Sequence, residues 1–150
     1  MLAGASSGLA ASPAARRFWD ATLSQLTDSV DPQLVRGLTA GMLTKPIPQE
    51  FLDAAVREGM KVLPHVWRAA FESPWNREGD FSAQLAMIKA PTLIIWGDRD
   101  ARYSRADEEL LTAAIPEARL LVYRDAGHML HWEEPQRFAS DLVSFVENLG

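Results

Sequence analysis

A chain of 150 residues, 47% hydrophobic and 23% charged, has room for one domain with its own core or for part of a larger one. Its net charge of −5, with no cluster of Lys or Arg, argues against nucleic acid and anionic membranes as partners. With no cysteine there is no disulfide, thiolate metal site or thiol nucleophile, and the chain fits a reducing compartment.

The opening, MLAGASSGLAASPAARR, is rich in small residues and lacks both a basic leading region and a long apolar stretch. It does not read as a signal peptide. No apolar run approaches the roughly 20 residues of a membrane span. These absences point to a cytoplasmic protein.

Residues 12 to 88 read as helices punctuated by proline. Ser12-Pro13 is a cap followed by a first-turn proline, with Phe18, Trp19, Leu23 and Leu26 at helical spacing. Asp31-Pro32 repeats the device ahead of Leu34, Val35, Leu38 and Met42. KPIPQEFLDAAVREGMKV puts Phe51, Leu52, Ala55, Val56 and Met60 on one face, and PHVWRAAFESPW is a shorter helix rich in aromatics. Asp80 is placed to cap one more helix, through Leu85 and Met87.

The texture changes after residue 88. PTLIIWG is a short continuous apolar run between Pro and Gly, as expected of a strand buried on both faces. SRADEELLTAAI is an amphipathic helix opened by Ser104, and ARLLVY is a second buried strand. PQRFASDLVSFVENLG closes the chain as a helix with Phe138, Leu142, Phe145, Val146 and Leu149 inward and Gly150 beyond its end. The order β-α-β-α implies parallel strands with right-handed crossovers, an α/β fold.

In open parallel sheets functional groups gather beyond the carboxyl ends of the strands. IIWGDRD delivers Asp98 and Asp100 just after the first strand, and LLVYRDAGH delivers His128 just after the second. Neighbouring strands let those loops meet. A carboxylate can then accept from one imidazole nitrogen, fixing the tautomer and leaving the other nitrogen to act as a base. Taken singly, each residue is accounted for as a turn Asp or a strand-end His that satisfies loop carbonyls. Their order and framing together favour the functional reading.

IKAPTLIIWGDRD, a helix, a strand and then AGHMLHWEEPQRFASDLVSFV resemble the C-terminal part of an α/β-hydrolase. The specific match covers residues 86 to 150, and the helical stretch more loosely resembles the cap of that fold. The resemblance implies a partial α/β-hydrolase fold in three parts. Residues 1–11 are the end of a core strand and a loop, 12–88 a helical cap, and 89–150 the C-terminal part of the core. It matches the acid of a Gly-x-x-Asp turn to Asp100, with Asp98 a turn former, and the base of a Gly-His step to His128. The spacing, 128 − 100 = 28 residues, leaves room for one helix and one strand.

The family's nucleophile sits on a sharp strand-to-helix turn, G-x-S-x-G. Gly4-Ala5-Ser6-Ser7-Gly8 matches it literally. However, only Met1 to Ala3 precede it, and LAASP follows where a helix should start. The stretch fits better as a strand end running into a small-residue loop, so Ser6 is a formal candidate without its context.

The expectation is therefore a chain that carries the acid and the base without the nucleophile and is nearly inactive alone. Supplied with one, it would hydrolyse a small ester or related acyl compound. Two alternatives stand. One is a non-catalytic fragment or pseudoenzyme that oligomerises and binds an apolar ligand or partner chain. The other is a dehalogenase or epoxide hydrolase, whose family nucleophile is Asp. A bare strand edge near Met1 to Ala3 would favour a complementing N-terminal half or self-association.

Trp19, Trp67, Phe71 and Trp75 could line an apolar substrate pocket, although helical aromatic stripes are usually core. His131 and Trp132 could shape the site, although His131 is rather expected to pack or face water, and His65 to be a surface or capping histidine. No metal-ligand spacing and no glycine-rich phosphate loop appear, so no cofactor is implied. ADEELL and HWEEP read as acidic helix starts, favourable to the helix dipole and no more.

Overall fold

The computed structural model describes residues 17, 20–27, 29–76 and 82–149, for 71–76 and 82–83 by their backbone alone. The expected strand stub at Met1 to Ala3, the Gly4 to Gly8 stretch with Ser6, the capped start of the first helix with Phe18 and Trp19, and Asp80 lie outside the described residues, while Leu23 of that helix falls in a 3-10 turn and Leu26 just after it. Those described fall into two compact units. One holds 17–41 and 47–76; the other holds Met42–Pro46 and 82–149.

The first unit is helical. A 3-10 turn, Leu23–Gln25, is followed by α1 (Pro32–Ala40), α2 (Gln49–Gly59) and α3 (Pro64–Asn76). The start of α1 is written in the sequence. Asp31 accepts a hydrogen bond from the Gln33 amide at 2.8 Å, and Pro32 occupies the first turn, where its missing N–H costs nothing. α1 buries Val35 and α2 buries Val56, which meet Val30 in a small core flanked by Leu34, Leu52, Met60 and Trp67. Phe51, expected on the inner face of α2, is 44% exposed.

The second unit has the order α4 (Ser82–Leu85), β1 (Thr92–Gly97), α5 (Arg105–Ala114), β2 (Ala118–Tyr123), α6 (Leu130–Glu133) and α7 (Pro135–Glu147). β1 and β2 pair in parallel, from Thr92 opposite Ala118 to Gly97 opposite Tyr123. Because side chains alternate across a strand, the sheet carries two apolar faces. Ile94 and Leu120 pack with Leu111 and Ile115 on one side, while Ile95 and Leu121 pack with Tyr123, Leu130 and Phe138 on the other. This double burial is why both strands read as continuous apolar runs.

α5 is closed by a capping box, in which Ser104 and Asp107 each bond the other's backbone amide. α7 departs from expectation. Phe138, Leu142 and Phe145 are partly buried, but Val146 is 64% and Leu149 49% exposed. Among the described residues the last turn of α7 finds no sheet surface to cover, so its apolar side chains stay open to solvent.

The ends of the two strands are drawn together beyond the last paired residues. The Asp98 amide donates to Tyr123 O and the Arg99 amide to Ala126 O, both at 3.0 Å. Gly97 makes this approach possible. A Cβ there would stand 2.3 Å from Ala126 O and 2.5 Å from Gly127 O, both backbone atoms that have little freedom to retreat. Gly97→Ala should therefore push the two loops apart and destabilise the fold by about 1–3 kcal/mol, the usual cost of overpacking, read as a lower urea midpoint with unchanged slope.

Candidate active site

Asp98 and Asp100 follow β1 and play different parts. The exposed Asp98 accepts from the Asp125 amide at 2.7 Å and so ties the two strand-end loops to each other. Asp125 takes a left-handed conformation, φ 56°, that Asp tolerates better than most residues, and this turns the chain after β2 back toward β1. Asp98 is thus the turn former expected of it.

Asp100 points inward. Its side chain is 5% exposed, and its two oxygens gather three partners. Oδ1 accepts from the amides of Arg102 at 2.7 Å and Tyr103 at 3.2 Å, and Oδ2 lies 2.9 Å from Nδ1 of His128. Burying a carboxylate is costly unless its lone pairs are occupied, and here they are. A carboxylate can only accept, so Nδ1 carries the hydrogen, leaving the Nε2 lone pair as the basic site. Among the described residues no hydrogen bond engages Nε2. The Tyr103 ring lies against the imidazole, centroids 5.5 Å apart, and its backbone oxygen accepts from Trp96 Nε1 at 3.1 Å, which fastens the loop to β1.

The loop that carries His128 is held from behind by Glu133. One carboxylate oxygen accepts from the Gly127 amide at 2.8 Å, the other from the Thr44 amide at 2.6 Å. Two further ties join the 42–46 segment to this region: Met129 donates to Met42 O at 3.3 Å, and Lys45 pairs with Glu134. Gly127 is packed so closely that a Cβ would meet Glu133 Oε1 and Thr44 Oγ1 at 2.8 Å. HWEEP is therefore not a mere acidic helix start. Glu133 closes the short α6 rather than opening a helix, and its charge is spent on two backbone donors, one of them 89 residues away. ADEELL also departs from expectation, because Glu108 is buried, at 3% exposure.

His131 packs beside Trp132 and Phe138, with ring centroids at 5.8 and 5.6 Å. Burial holds its pKa below the usual imidazole value, and the charge on His128 acts in the same direction. Trp67 belongs to the helical unit, where it packs on the Val30–Val35–Val56 core and donates through Nε1 to Gly59 O at 3.3 Å. Phe71 and Trp75 lie on α3, described there by backbone alone. His65 is exposed. Among the described residues no group of His, Asp or Glu could hold a metal ion, and no helix is long and apolar enough to cross a membrane.

A family model described as the alpha/beta hydrolase fold matches residues 16–135. A 2-hydroxy-6-oxononadienedioate/2-hydroxy-6-oxononatrienedioate hydrolase of Pseudomonas putida is 40% identical over 70 residues, 46% of this chain and 24% of that protein. An esterase from Exiguobacterium antarcticum superposes with a TM-score of 0.74 at 20% identity, over 89% of this chain and 47% of the esterase. An N-acyl homoserine lactone degrading enzyme superposes with a TM-score of 0.67 at 28% identity, over 95% of this chain and 54% of that enzyme. The chain thus spans about a quarter of the curated relative and half of the solved structures.

Two measurements check the supports of this arrangement. Glu133→Gln keeps one acceptor and turns an N–H₂ toward the other amide. It should speed hydrogen exchange at Gly127 or Thr44 while leaving distant amides unchanged, and destabilise by about 1–3 kcal/mol when the amide left without an acceptor is the buried Gly127 rather than the exposed Thr44. For His131, a native pKa below the unfolded value means that the unfolded state binds the proton more readily. Its contribution is whole above about pH 6.5 and is lost as pH falls below that, through the lower native value. His131→Phe should therefore flatten the acid-side loss of stability between about pH 7 and pH 5 in urea titrations.

Proposed function

The chain belongs to the α/β-hydrolase fold family, and from that premise we propose that it supplies the acid and base of a hydrolytic site acting at a carbonyl carbon. The observation that carries the reading is the 2.9 Å bond between His128 Nδ1 and Asp100 Oδ2 beyond the ends of two parallel strands.

In this reading His128 Nε2 takes the proton of an attacking hydroxyl or water and returns it to the leaving group. Asp100 holds the ring and stabilises the imidazolium that forms. Among the described residues no hydroxyl is bonded to Nε2, so the attacking group comes from elsewhere. A complementing N-terminal half is the partner we propose for it. The substrate class proposed is a small carboxylic ester or related acyl compound. The fold it shares at 28% identity with a lactone-degrading enzyme supports this, since a lactone is a cyclic ester.

A second reading has its own support. The 40% identical stretch is shared with hydrolases of 2-hydroxy-6-oxononadienedioate, whose name contains a ketone and no ester. Hydrolysis of such a compound must break a carbon–carbon bond beside a carbonyl, so it needs the same acid–base pair and a different leaving group.

The test measures turnover of p-nitrophenyl acetate and of a 2-hydroxy-6-oxo-dienoate by the 150-residue chain, alone and mixed with an N-terminal half carrying G-x-S-x-G. Activity should appear in the mixture, and His128→Ala should lower it by about 10²–10⁴-fold. The preferred substrate decides between ester and carbon–carbon cleavage. Loss on Ser6→Ala in the chain alone would assign the nucleophile to the Gly4 to Gly8 stretch. Turnover that survives His128→Ala unchanged would overturn the reading.

A further inference from the structure

Three arginines follow β1 at intervals of three residues, and two of them are accounted for. Arg99 pairs with Asp125 at 3.4 Å and Arg105 with Glu109 at 2.7 Å, both pairs on the surface. Arg102, between them, is drawn inward. It is partly buried, and its Nε is sealed from solvent without a hydrogen-bond partner. Among the described residues no carboxylate pairs with its guanidinium. Asp100 is engaged by two amides and His128, Asp107 closes the capping box, and the buried Glu108 makes no ion pair with it. A charged donor buried without an acceptor is costly, because it gives up water and gains nothing in return. The exposed arginines on either side avoid that cost. A side chain kept in this state is prepared for an acceptor that arrives from outside.

The place of Arg102 is fixed by the site itself. Its amide donates to Asp100 Oδ1 at 2.7 Å, and the next amide, of Tyr103, donates to the same oxygen at 3.2 Å. Tyr103 O in turn accepts from Trp96 Nε1 at 3.1 Å. The root of Arg102 therefore lies one hydrogen bond from the carboxylate that holds His128, and the residue after it lays its ring against the imidazole. The guanidinium charge is felt there as well. It opposes the rise of the Tyr103 phenol, which burial and then Asp100 push up.

We propose that Arg102 anchors a carboxylate carried by the substrate, so that the compound cleaved is an anionic acyl compound whose carboxylate lies apart from the scissile carbonyl. A guanidinium is flat and presents Nε–H and Nη–H side by side, matched to the two oxygens of a carboxylate. That pairing gives the orphaned Nε its acceptor and sets one charge against the other. A neutral ester offers no such group. Anchoring one end of the compound also orients the rest of it. Arg102 touches the substrate away from the reacting atoms and so determines specificity rather than chemistry. The inference deepens the hydrolase reading and, in its kinetic arm, rests on it.

Because the turn is held within the second unit, the subsite should be present in the 150-residue chain alone. The first test is an NMR titration of the arginine Nε–Hε signals with glutarate, with sodium chloride at equal ionic strength as the control. The signal of Arg102 is the one missing from Arg102→Lys. Glutarate should shift it saturably and chloride should not. Arg102→Gln should weaken glutarate binding, read on the Tyr103 amide signal, by about 10- to 100-fold. A response to glutarate no greater than that to chloride would overturn the proposal.

The second test adds the N-terminal half and compares mono-p-nitrophenyl glutarate with p-nitrophenyl valerate, esters of equal chain length that differ in the terminal carboxylate. Arg102→Gln should raise KM for the glutarate ester by about 10- to 100-fold, with kcat little changed, and leave the valerate ester nearly as it was. Arg102→Lys should recover part of the loss, since it restores the charge without the fork. Equal effects on the two esters would overturn the subsite and leave the hydrolase reading standing. Turnover of neither ester by the wild-type mixture would count against the hydrolase reading, while the glutarate titration still decides on Arg102.

Discussion

His128 reaches Asp100 because two parallel strands end level with each other. Gly97 stands opposite Tyr123, and the next two amides of the first strand donate across to the chain leaving the second. That continuation has a steric condition, since the carbonyls of residues 126 and 127 occupy the space where a side chain on residue 97 would be. With a glycine there, the chain after Tyr123 can fold back over the end of β1. His128 then arrives beside the carboxylate that the following turn has aimed inward. The 2.9 Å contact is thus prepared by register and by one missing side chain.

Having met, the two loops must be kept from parting, and here the unit uses charge against backbone. Glu133 takes the amides of Gly127 and Thr44, and Glu134 takes Lys45 and, at 3.1 Å, Arg137. Arg137 in turn lies over the Tyr123 ring, 3.8 Å from its centre, while the Tyr123 hydroxyl donates to Asp141. Burial pushes the Tyr123 phenol up, and the Asp141 carboxylate adds to this, so the phenol remains a donor across the accessible pH range. These contacts form a chain from the 42–46 segment through the loop of His128 to the face of α7. An isolated surface pair is worth little. This series matters because its members are bonded to groups that packing already holds in place.

Much of this was legible in the residues and some was not. The strands were, because PTLIIWG and ARLLVY are apolar on both faces and bounded by Pro, Gly and polar turns. So were the caps at Asp31 and Ser104, whose chemistry acts within four residues of the cap itself. Asp100 and His128 could be paired because parallel strands bring their carboxyl ends together whatever the side chains are. The role of Glu133 could not be read in this way, because its partner Thr44 is 89 residues away and is engaged through a backbone amide that carries no sequence signature. Nor could the inward turn of Glu108, which is set by how α5 sits on the sheet. Val146 and Leu149 misled for a related reason, since helical spacing shows which residues share a face but not how far the surface beneath them extends.

The exposures of the pair bear on what it can do. The Asp100 side chain is 5% exposed and that of His128 is 21%. A buried carboxylate interacts strongly with the ring because little water screens it, and with its remaining lone pairs taken by two amides it has little freedom to turn away. The imidazole, by contrast, is hydrogen-bonded only through Nδ1 among the described residues and is the more exposed of the two side chains. In the proposed role the proton is exchanged at Nε2, because Nδ1 is taken by the acid. That asymmetry is what the proposed acid–base role requires. It arises within the second unit alone, from the sheet ends, the loop after Gly97 and the carboxylate of Glu133.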